Sequence, residues 1–143
     1  MEKNNLNNKN NSSKIKNTES ILNQPIEIRE EVSPEILESL KEITGKKNGF
    51  IVLKGPNVGE KIIFTKDVLK IGRDSNSDIF LDDITISRKH AQIEKIDDDN
   101  YKITDLGSLN GVYVNGKLVE EKILEDGDKI QIGKYVFYYF YLN

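Results

Sequence analysis

Hydrophobic and polar residues alternate over short distances from residue 49 onward, and turn-forming residues interrupt the alternation at regular intervals. The alternation is clear in "YKITDL" and "KIQIG", a pattern typical of strands that are buried on one face. Between the apolar runs lie "DSNS", "DDDN", "GSLNG", "NG" and "EDGD", whose residues favour turns. Because no long helical period separates the runs, the pattern predicts an all-β domain, an antiparallel two-sheet β-sandwich.

The N-terminal part of the chain lacks this pattern. Its first twenty residues are mostly Asn, Lys, Ser and Glu, which cannot bury enough apolar surface to offset the entropy of ordering them. We therefore expect residues 1–47 to form a disordered arm ahead of a domain over 48–143. Within the arm, apolar spacing between a Ser-Pro start and a glycine stop predicts a short helix over 34–44. A helix of this length is marginal alone, so it packs on its own domain, frays, or docks on another protein.

Length and composition exclude several classes of protein. The chain has 143 residues, which is enough for one domain and a tail but not for two domains. It contains no Cys and one His, which excludes disulfides, thiol nucleophiles and imidazole-rich metal sites. No apolar run suits a signal sequence or a membrane span, and the net charge of −3 argues against bulk nucleic-acid binding. We expect a cytoplasmic protein with no metal, cofactor, membrane or nucleic-acid partner.

Three of the predicted turns carry polar side chains that suit an anion. Arg73 lies in "GRDSNSD", Ser87 and Arg88 lie in "TISRKH", and Ser108 and Asn110 lie in "GSLNG". An arginine offers a planar fork to two phosphate oxygens, a serine hydroxyl donates a further hydrogen bond, and an asparagine pairs with a peptide main chain. Because loops at one end of a sandwich converge, these residues predict an anion-binding site. The alternative is that each forms a salt bridge or a cap within its own loop.

The neighbouring Ser87 and His90 also raise the question of nucleophilic catalysis, which the sequence does not support. Three residues apart at a strand entrance, the two side chains tend to face opposite sides, and no G-x-S-x-G motif occurs. "GPNVGEK" lacks the spacing of a Walker loop, and "DDDNYKITDLG" lacks the glycine and the terminal glutamate of a calcium loop. We therefore do not expect an enzyme.

Four motifs together carry a resemblance to a known family. "IGRDSNSDIFLDD", "ISRKHAQI", "YKITDLGSLNGVYVNG" and "LEDGDKIQIG", in this order and spacing, resemble the forkhead-associated (FHA) domain family. The resemblance covers residues 49–143. It implies an FHA/SMAD-like β-sandwich that has no catalytic activity. Loops at one end of such a sandwich bind phosphothreonine peptides, which implies a role in Ser/Thr kinase signalling.

The resemblance also implies roles for the polar residues of the turns. Arg73 matches the principal phosphate-binding arginine, and Ser87 matches a second phosphate contact. Arg88 occupies a rim position that contacts phosphate or peptide backbone. Asn110 matches the asparagine that hydrogen-bonds the main chain of the ligand, whereas Ser108 either contacts the ligand or stabilises its own turn.

Three further residues are implied as structural support. Gly72 permits a tight turn, His90 ties loops together, and Asn115 stabilises a turn. Two positions depart from the pattern of some family members. Leu109 stands where a threonine would offer phosphate another hydroxyl, and the region of Thr85 carries no charge to read the third residue after the phosphothreonine. The usual acidic preference at that ligand position is therefore not expected.

A narrower resemblance concerns regulation. "GPNVGEKIIF", "NSDIFLDDITISRKHA" and "GSLNGVYVNG" are similar to small actinobacterial FHA regulators of enzymes that use 2-oxoglutarate. In those proteins a Ser/Thr kinase phosphorylates an N-terminal arm, which then occupies the binding face of its own domain. "NTESIL" is the nearest segment here, so Thr18 is the candidate phosphosite. The implied partners are a phosphothreonine protein, a Ser/Thr kinase and a metabolic enzyme. A phosphate-independent scaffold, binding a metabolic enzyme or a secretion component through the same loops, is the alternative.

Overall fold

The computed structural model describes residues 33–142, and these contain one short helix and eleven strands. The helix is α1 (Pro34–Leu40). The strands are β1 (Lys47–Lys54), β2 (Lys61–Ile63), β3 (Val68–Gly72), β4 (Ile79–Phe80), β5 (Ala91–Lys95), β6 (Tyr101–Asp105), β7 (Val112–Val114), β8 (Lys117–Val119), β9 (Glu121–Ile123), β10 (Lys129–Ile132) and β11 (Tyr135–Leu142). The predicted arm up to residue 32, with Thr18, lies outside the described residues.

The strands form two sheets. One has five strands in the order β9-β6-β5-β3-β4, and the other has six in the order β2-β1-β11-β10-β7-β8. The predicted two-sheet β-sandwich is therefore confirmed. One edge pair differs from the antiparallel expectation, because β3 and β4 run parallel with Ile71 opposite Ile79. The chain turns back after β3, and the Leu81 N–H donates to the Gly72 carbonyl at 2.9 Å, which holds the returning segment at the edge.

The core lies between the sheets and follows from the alternation in the sequence. In β6, Tyr101 and Ile103 are buried, whereas the residue between them is partly exposed. An aromatic group centres on Phe50, which stacks on Phe137 at 4.8 Å and meets Phe64 edge-on at 5.0 Å. Aromatic pairs with these geometries add to the free energy gained from burial. The strands that carry the loops described below are therefore held by one continuous core.

The helix ends earlier than the predicted 34–44. It begins with the Leu37 N–H donating to the Ser33 carbonyl, and after Leu40 the chain continues in tight i+3 turns, such as the Ile43 N–H on the Leu40 carbonyl. Such turns commonly close the last part of a helix. Leu40 and Ile43 pack with Ile51 on the outer face of the six-stranded sheet. The C-terminal end of α1 thus packs on its own domain.

Three connections converge at one end of the sandwich. They are the β3–β4 loop (73–78), the β4–β5 loop (81–90) and the β6–β7 loop (106–111). The turn after β10 joins them, because the Lys134 N–H donates to Thr85 Oγ1 at 3.2 Å. The described part of the chain contains no helix that is long and apolar enough to span a bilayer.

Candidate functional site

Main-chain hydrogen bonds join the β3–β4 loop to the β4–β5 loop. The Arg73 N–H donates to the Ser87 carbonyl at 3.0 Å, and the Asp74 N–H donates to the Arg88 carbonyl at 3.2 Å. Gly72 makes this approach possible, because a Cβ there would lie 1.9 Å from the Arg88 carbonyl oxygen. Arg73, Ser87 and Arg88 are therefore held side by side, and we name them the loop cluster.

The Arg73 guanidinium is anchored at one nitrogen and exposed. Its Nε donates to the Ile86 carbonyl at 3.0 Å, which leaves the two Nη groups for another acceptor. Arg88 is also exposed. Within residues 33–142, neither arginine forms an ion pair with a carboxylate. The structure therefore does not place these two arginines in internal salt bridges, the alternative that the sequence left open.

Ser87 connects the loop cluster to the third loop. Its Oγ accepts a hydrogen bond from the Leu109 N–H at 3.0 Å, across 22 residues of sequence. A hydroxyl has one hydrogen to donate and two lone pairs to accept with. The contact uses one lone pair, so the hydroxyl hydrogen stays available for an acceptor outside the protein.

His90 is fully buried behind Ser87 and links two loops. The Ser87 N–H donates to His90 Nδ1 at 3.0 Å, and His90 Nε2 lies 2.8 Å from the Gly111 carbonyl. Because Nδ1 accepts, the ring proton sits on Nε2 and is donated to Gly111. Burial lowers the pKa of His90, although the Gly111 carbonyl and the Asp105 carboxylate act in the opposite direction. The ring contacts the main chain of Ser87, not its hydroxyl, so this is a neutral brace and not a serine–histidine pair.

The third loop contributes Asn110 and Ser108 in different ways. Asn110 is buried, and its Nδ2 donates to the Thr85 carbonyl at 2.9 Å, which ties the third loop to the second. The Ser108 hydroxyl donates to the Asp105 carboxylate and accepts the Gly111 N–H at 2.9 Å. Both hydroxyl functions of Ser108 are therefore engaged within its own turn. Of the two roles that the sequence left open for Ser108, this geometry favours stabilisation of the turn.

Asn115 lies away from the loop cluster. It adopts a positive φ of 52° in the β7–β8 turn, its Nδ2 donates to Asp128 Oδ1 at 2.9 Å, and its Oδ1 accepts the Lys129 N–H at 3.0 Å. Lys129 begins β10, whereas the turn that contacts Thr85 follows the other end of that strand. Asn115 thus stabilises a turn at the opposite end of the sandwich.

Hydrogen bonds between Asp83 and Thr85 in the second loop were not predicted from the sequence. Asp83 Oδ1 accepts hydrogen bonds from both the main-chain N–H and the hydroxyl of buried Thr85. Burial acts to raise the pKa of Asp83, but these hydrogen bonds outweigh it and the pKa lies below its ordinary value. An aspartate two residues before a threonine is a common turn pattern, and it could have indicated this contact.

The sequence also did not predict that two apolar side chains beside the loop cluster would be exposed together. Ile84 is 90% exposed and Leu109 is 85% exposed. The hydrogen bond from Asn110 to the Thr85 carbonyl joins the residues that follow each of them, so the two side chains stand on adjacent loops. The Leu109 N–H donates to Ser87 Oγ, so this exposed apolar pair borders the loop cluster.

Comparison with known sequences decides the family. The FHA domain model matches residues 69–133. The Oxoglutarate dehydrogenase inhibitor of Corynebacterium jeikeium is 41% identical over 105 residues, which cover 73% of this chain and 70% of that protein. The chain belongs to the FHA domain family. The Glycogen accumulation regulator GarA of Mycobacterium tuberculosis is 42% identical over 85 residues, 59% of this chain and 52% of GarA, so the match spans about half of that relative.

Solved FHA structures agree with this assignment. The FHA domain of the CT664 protein from Chlamydia trachomatis has a TM-score of 0.62 and 31% identity. The match covers 68% of this chain and 99% of the CT664 chain. An FHA structure determined in a study of phosphothreonine-dependent FHA interactions has a TM-score of 0.61 and 27% identity, with coverage of 68% and 98%. The resemblance to the FHA family and to its actinobacterial regulators is therefore confirmed.

Proposed function

We propose that this FHA domain binds phosphothreonine peptides through the loop cluster and acts in Ser/Thr kinase signalling. One observation carries the proposal: two arginines and a serine from two loops are fixed side by side by the main chain, and neither arginine pairs with a carboxylate among the described residues. Such a set of donors suits the three oxygens of a phosphate ester. The phosphothreonine-dependent interactions of a structural neighbour support the choice of ligand.

Each residue has a defined role in this proposal. The Nη groups of Arg73 bind two phosphate oxygens, since Nε is already held by the Ile86 carbonyl. The Ser87 hydroxyl donates to a third oxygen, and Arg88 contacts the phosphate or the peptide from the rim. Asn110 uses its remaining amide hydrogen and its carbonyl oxygen for the main chain of the ligand. His90 and Gly72 keep the two loops in place and do not contact the ligand.

Replacement of Arg73 tests the assignment. Hydrogen bonds to charged groups contribute about 1.5–3 kcal/mol each, so Arg73→Ala should weaken phosphothreonine-peptide binding by about one to two orders of magnitude or more. Isothermal titration calorimetry measures the affinity, with a phosphopeptide selected from an oriented library as the ligand. Lys95→Ala serves as the matched control, since Lys95 is an exposed lysine on β5. Unchanged affinity in a folded Arg73→Ala protein would show that the assignment is wrong.

The second part of the proposal is regulation by the arm. Phosphorylated Thr18 competes with external ligands for the loop cluster. Thr18 precedes Ser33 by fifteen residues, and a flexible chain of that length has an r.m.s. reach on the order of 20 Å. Tethering at this range gives an effective concentration that approaches millimolar. The names of the relatives, an inhibitor and a regulator, are consistent with a switchable protein.

A comparison of phosphorylated and unphosphorylated full-length protein tests the arm. Kinase-treated protein should bind an external phosphopeptide at least tenfold more weakly, and Thr18→Ala should abolish the effect of the kinase. If the external peptide binds equally well to both forms, the arm does not occupy the site.

A second candidate function is a phosphate-independent contact with a metabolic enzyme or a secretion component through the same loops. The exposed Ile84 and Leu109 favour it, since apolar side chains add binding energy without a phosphate. The inhibition of oxoglutarate dehydrogenase named for a relative makes an enzyme that uses 2-oxoglutarate the first candidate partner. The double variant Ile84→Ser, Leu109→Ser tests this function. Partners that stay bound to the wild-type protein after phosphatase treatment, but do not bind the double variant, would support it over phosphopeptide binding.

A further inference from the structure

A small cavity opens beside the loop cluster and has no role in the function described so far. Its volume is about 160 Å³, and its lining includes Lys70, Asn76, Ser77 and Lys89, together with the partly exposed Leu106. We name it the lysine cavity. Asp74 and Lys89, which follow Arg73 and Arg88 in sequence, also line it. The lysine cavity therefore adjoins the loop cluster through residues next to it in sequence, within reach of one extended peptide.

The cavity carries an excess of positive charge. Lys70 and Lys89 are exposed, and neither forms an ion pair within the described residues. Other lysines of the domain are paired, for example Lys66 with Asp78 at 2.6 Å. The one carboxylate in the lining is Asp74, whose Oδ1 accepts the Asn76 N–H at 3.0 Å and thereby caps its own loop.

A carboxylate just outside the cavity does not reverse this balance. Asp78 accepts the Lys70 N–H at 2.8 Å and pairs with Lys66, and these contacts lower its pKa. Lys66 is its direct ion-pair partner, and the charge of Lys70 acts on it more weakly. With Arg73 and Arg88 next to the cavity, the local field is positive on a chain whose net charge is −3.

The dimensions restrict the occupant. Cofactor and drug-like sites usually have volumes of about 300–1,000 Å³, and 160 Å³ is closer to one side chain. Leu106, which is 39% exposed, supplies apolar surface for methylene groups, and the lysine ammonium groups, the Asn76 amide and the Ser77 hydroxyl supply donors. The chemistry fits an anionic group on a short aliphatic stem.

We propose that the lysine cavity is a second subsite for the phosphopeptide and binds an anionic side chain, Asp, Glu or a second phosphorylated residue, of the same ligand. This inference rests on the proposed function of the loop cluster. It gives the protein a ligand preference that a phosphothreonine alone does not provide. The cavity lies where the β3–β4 loop, Leu106 and Lys89 meet, and neither Ile84 nor Thr85 lines it.

A peptide scan by fluorescence anisotropy tests the subsite. Phosphothreonine peptides with a neutral background carry one Asp, moved in turn to each position on both sides of the phosphothreonine. At one position the Asp should tighten binding to the full-length wild-type protein about fivefold, the upper range for an exposed ion pair. A phosphoserine at that position should tighten binding further, and both gains should decrease at high salt.

The lysine variants decide whether the cavity is responsible. Lys70→Gln with Lys89→Gln should remove the gain from the acidic residue and leave the affinity of the neutral peptide unchanged. Lys95→Gln is the matched control, since this exposed lysine lies at the end of β5 that is remote from His90, and it should leave the gain intact.

Three outcomes would overturn the proposal. They are an absent gain at every position, a gain that survives in the double variant, and an equal loss for neutral and acidic peptides, which would indicate general electrostatic attraction. The failure of the proposed function is distinguishable, because then no phosphothreonine peptide would bind the wild-type protein or respond to Arg73→Ala. That result would remove the second subsite as well.

Discussion

His90 offers the sharpest test of how the loops are held together. His90→Ala removes a hydrogen-bond acceptor from the Ser87 N–H and a donor from the Gly111 carbonyl, at 3.0 Å and 2.8 Å respectively. An unsatisfied buried group costs about 1–3 kcal/mol, and the lower part of that range applies because both hydrogen bonds are only partly buried. The deleted ring leaves a cavity as well. We expect a loss of about 2–4 kcal/mol in the free energy of unfolding, a large share of the roughly 5–15 kcal/mol of a typical domain.

Two conservative variants separate the contributions. His90→Asn places an amide near the position of Nδ1 and can accept from Ser87, whereas His90→Gln reaches towards Nε2 and can donate to Gly111. Each should recover part of the loss. Urea unfolding followed by circular dichroism measures the free energies. A loss below about 1 kcal/mol in His90→Ala, or no recovery in either amide variant, would refute the brace.

The pH dependence supplies an independent check, since the chain has a single histidine. Burial lowers the pKa of His90 in the folded state below its ordinary value of 6.5. Below pH 6.5 the unfolded chain binds a proton that the folded chain does not, so stability falls as the pH decreases from 6.5 towards the folded-state pKa. The stability associated with neutral His90 is fully present above pH 6.5. His90→Gln has no group that titrates in this range, so its stability should not fall with pH in this way. Asp83 has a lowered pKa and contributes a separate loss only as the pH falls below its ordinary value of 3.8.

Four further substitutions probe other positions. Gly72→Ala should lower the free energy of unfolding by about 3 kcal/mol or more, or prevent folding, because the added Cβ meets a main-chain oxygen. Gly107→Ala should lower it by about 1 kcal/mol, because Gly107 has a positive φ but nothing lies within 4 Å of the added Cβ. Thermal unfolding compares the two variants. Asn115→Ala should lower the free energy of unfolding by about 1–3 kcal/mol without changing phosphopeptide affinity, since its contacts lie at the opposite end of the sandwich, and a parallel loss of affinity would contradict that placement. Tyr139→Phe should cost about 1 kcal/mol, because its hydroxyl accepts the Asn48 amide at 2.6 Å. Burial raises the pKa of Tyr139 to about 12, so the variant should lessen the loss of stability between pH 10 and about 12; part of that loss remains, because burial also raises the pKa of Tyr101, Tyr113, Tyr135 and Tyr138. An unchanged alkaline profile would exclude a contribution from Tyr139.

Strand positions followed from the sequence where one face of a strand is buried. The alternation of "YKITDL" corresponds to β6, and the turn-rich segments separate strands. "KIQIG" corresponds to β10, but there the polar Gln131 is buried as well as Ile130 and Ile132, so the expected exposed face is absent from this strand. The continuous apolar runs of β1 and β11 are buried on both faces, because Phe50 and Phe137 point into the core whereas Ile51 and Phe140 form a cluster on the outer face. Periodicity alone does not distinguish such a strand from a buried helix.

The parallel pairing of β4 was not predictable for a related reason. Its two residues carry no period, and the contact that holds them, from Leu81 to the Gly72 carbonyl, depends on how the intervening loop folds. The end of α1 was misplaced because its last turns tighten where Leu40 and Ile43 meet the sheet. Local propensity describes none of these tertiary contacts.

At the site, motifs pointed to residues but not to their contacts. The separate loops that carry Arg73, Ser87 and Arg88 do converge, yet the bond between Ser87 and Leu109 spans 22 residues and has no local signature. Ser108 and Asn110 are two positions apart and have different roles. The Ser108 hydroxyl bonds within its own turn, whereas the Asn110 side chain links two loops. The exposure of Ile84 and Leu109 is likewise a property of the assembled loops.

The hydrogen-bond polarity of the loop cluster has a consequence for proton linkage. The guanidinium groups of Arg73 and Arg88 donate and never accept, and Ser87 already uses one lone pair on the Leu109 N–H. A phosphate monoester loses its second proton with a pKa of about 6, and the monoanion presents an O–H to groups that mostly donate. Binding should therefore release that proton, and affinity should decline as the pH falls below about 6, in parallel with protonation of the ligand and not of the protein. Titrations in buffers of different ionisation enthalpy would count the released proton directly.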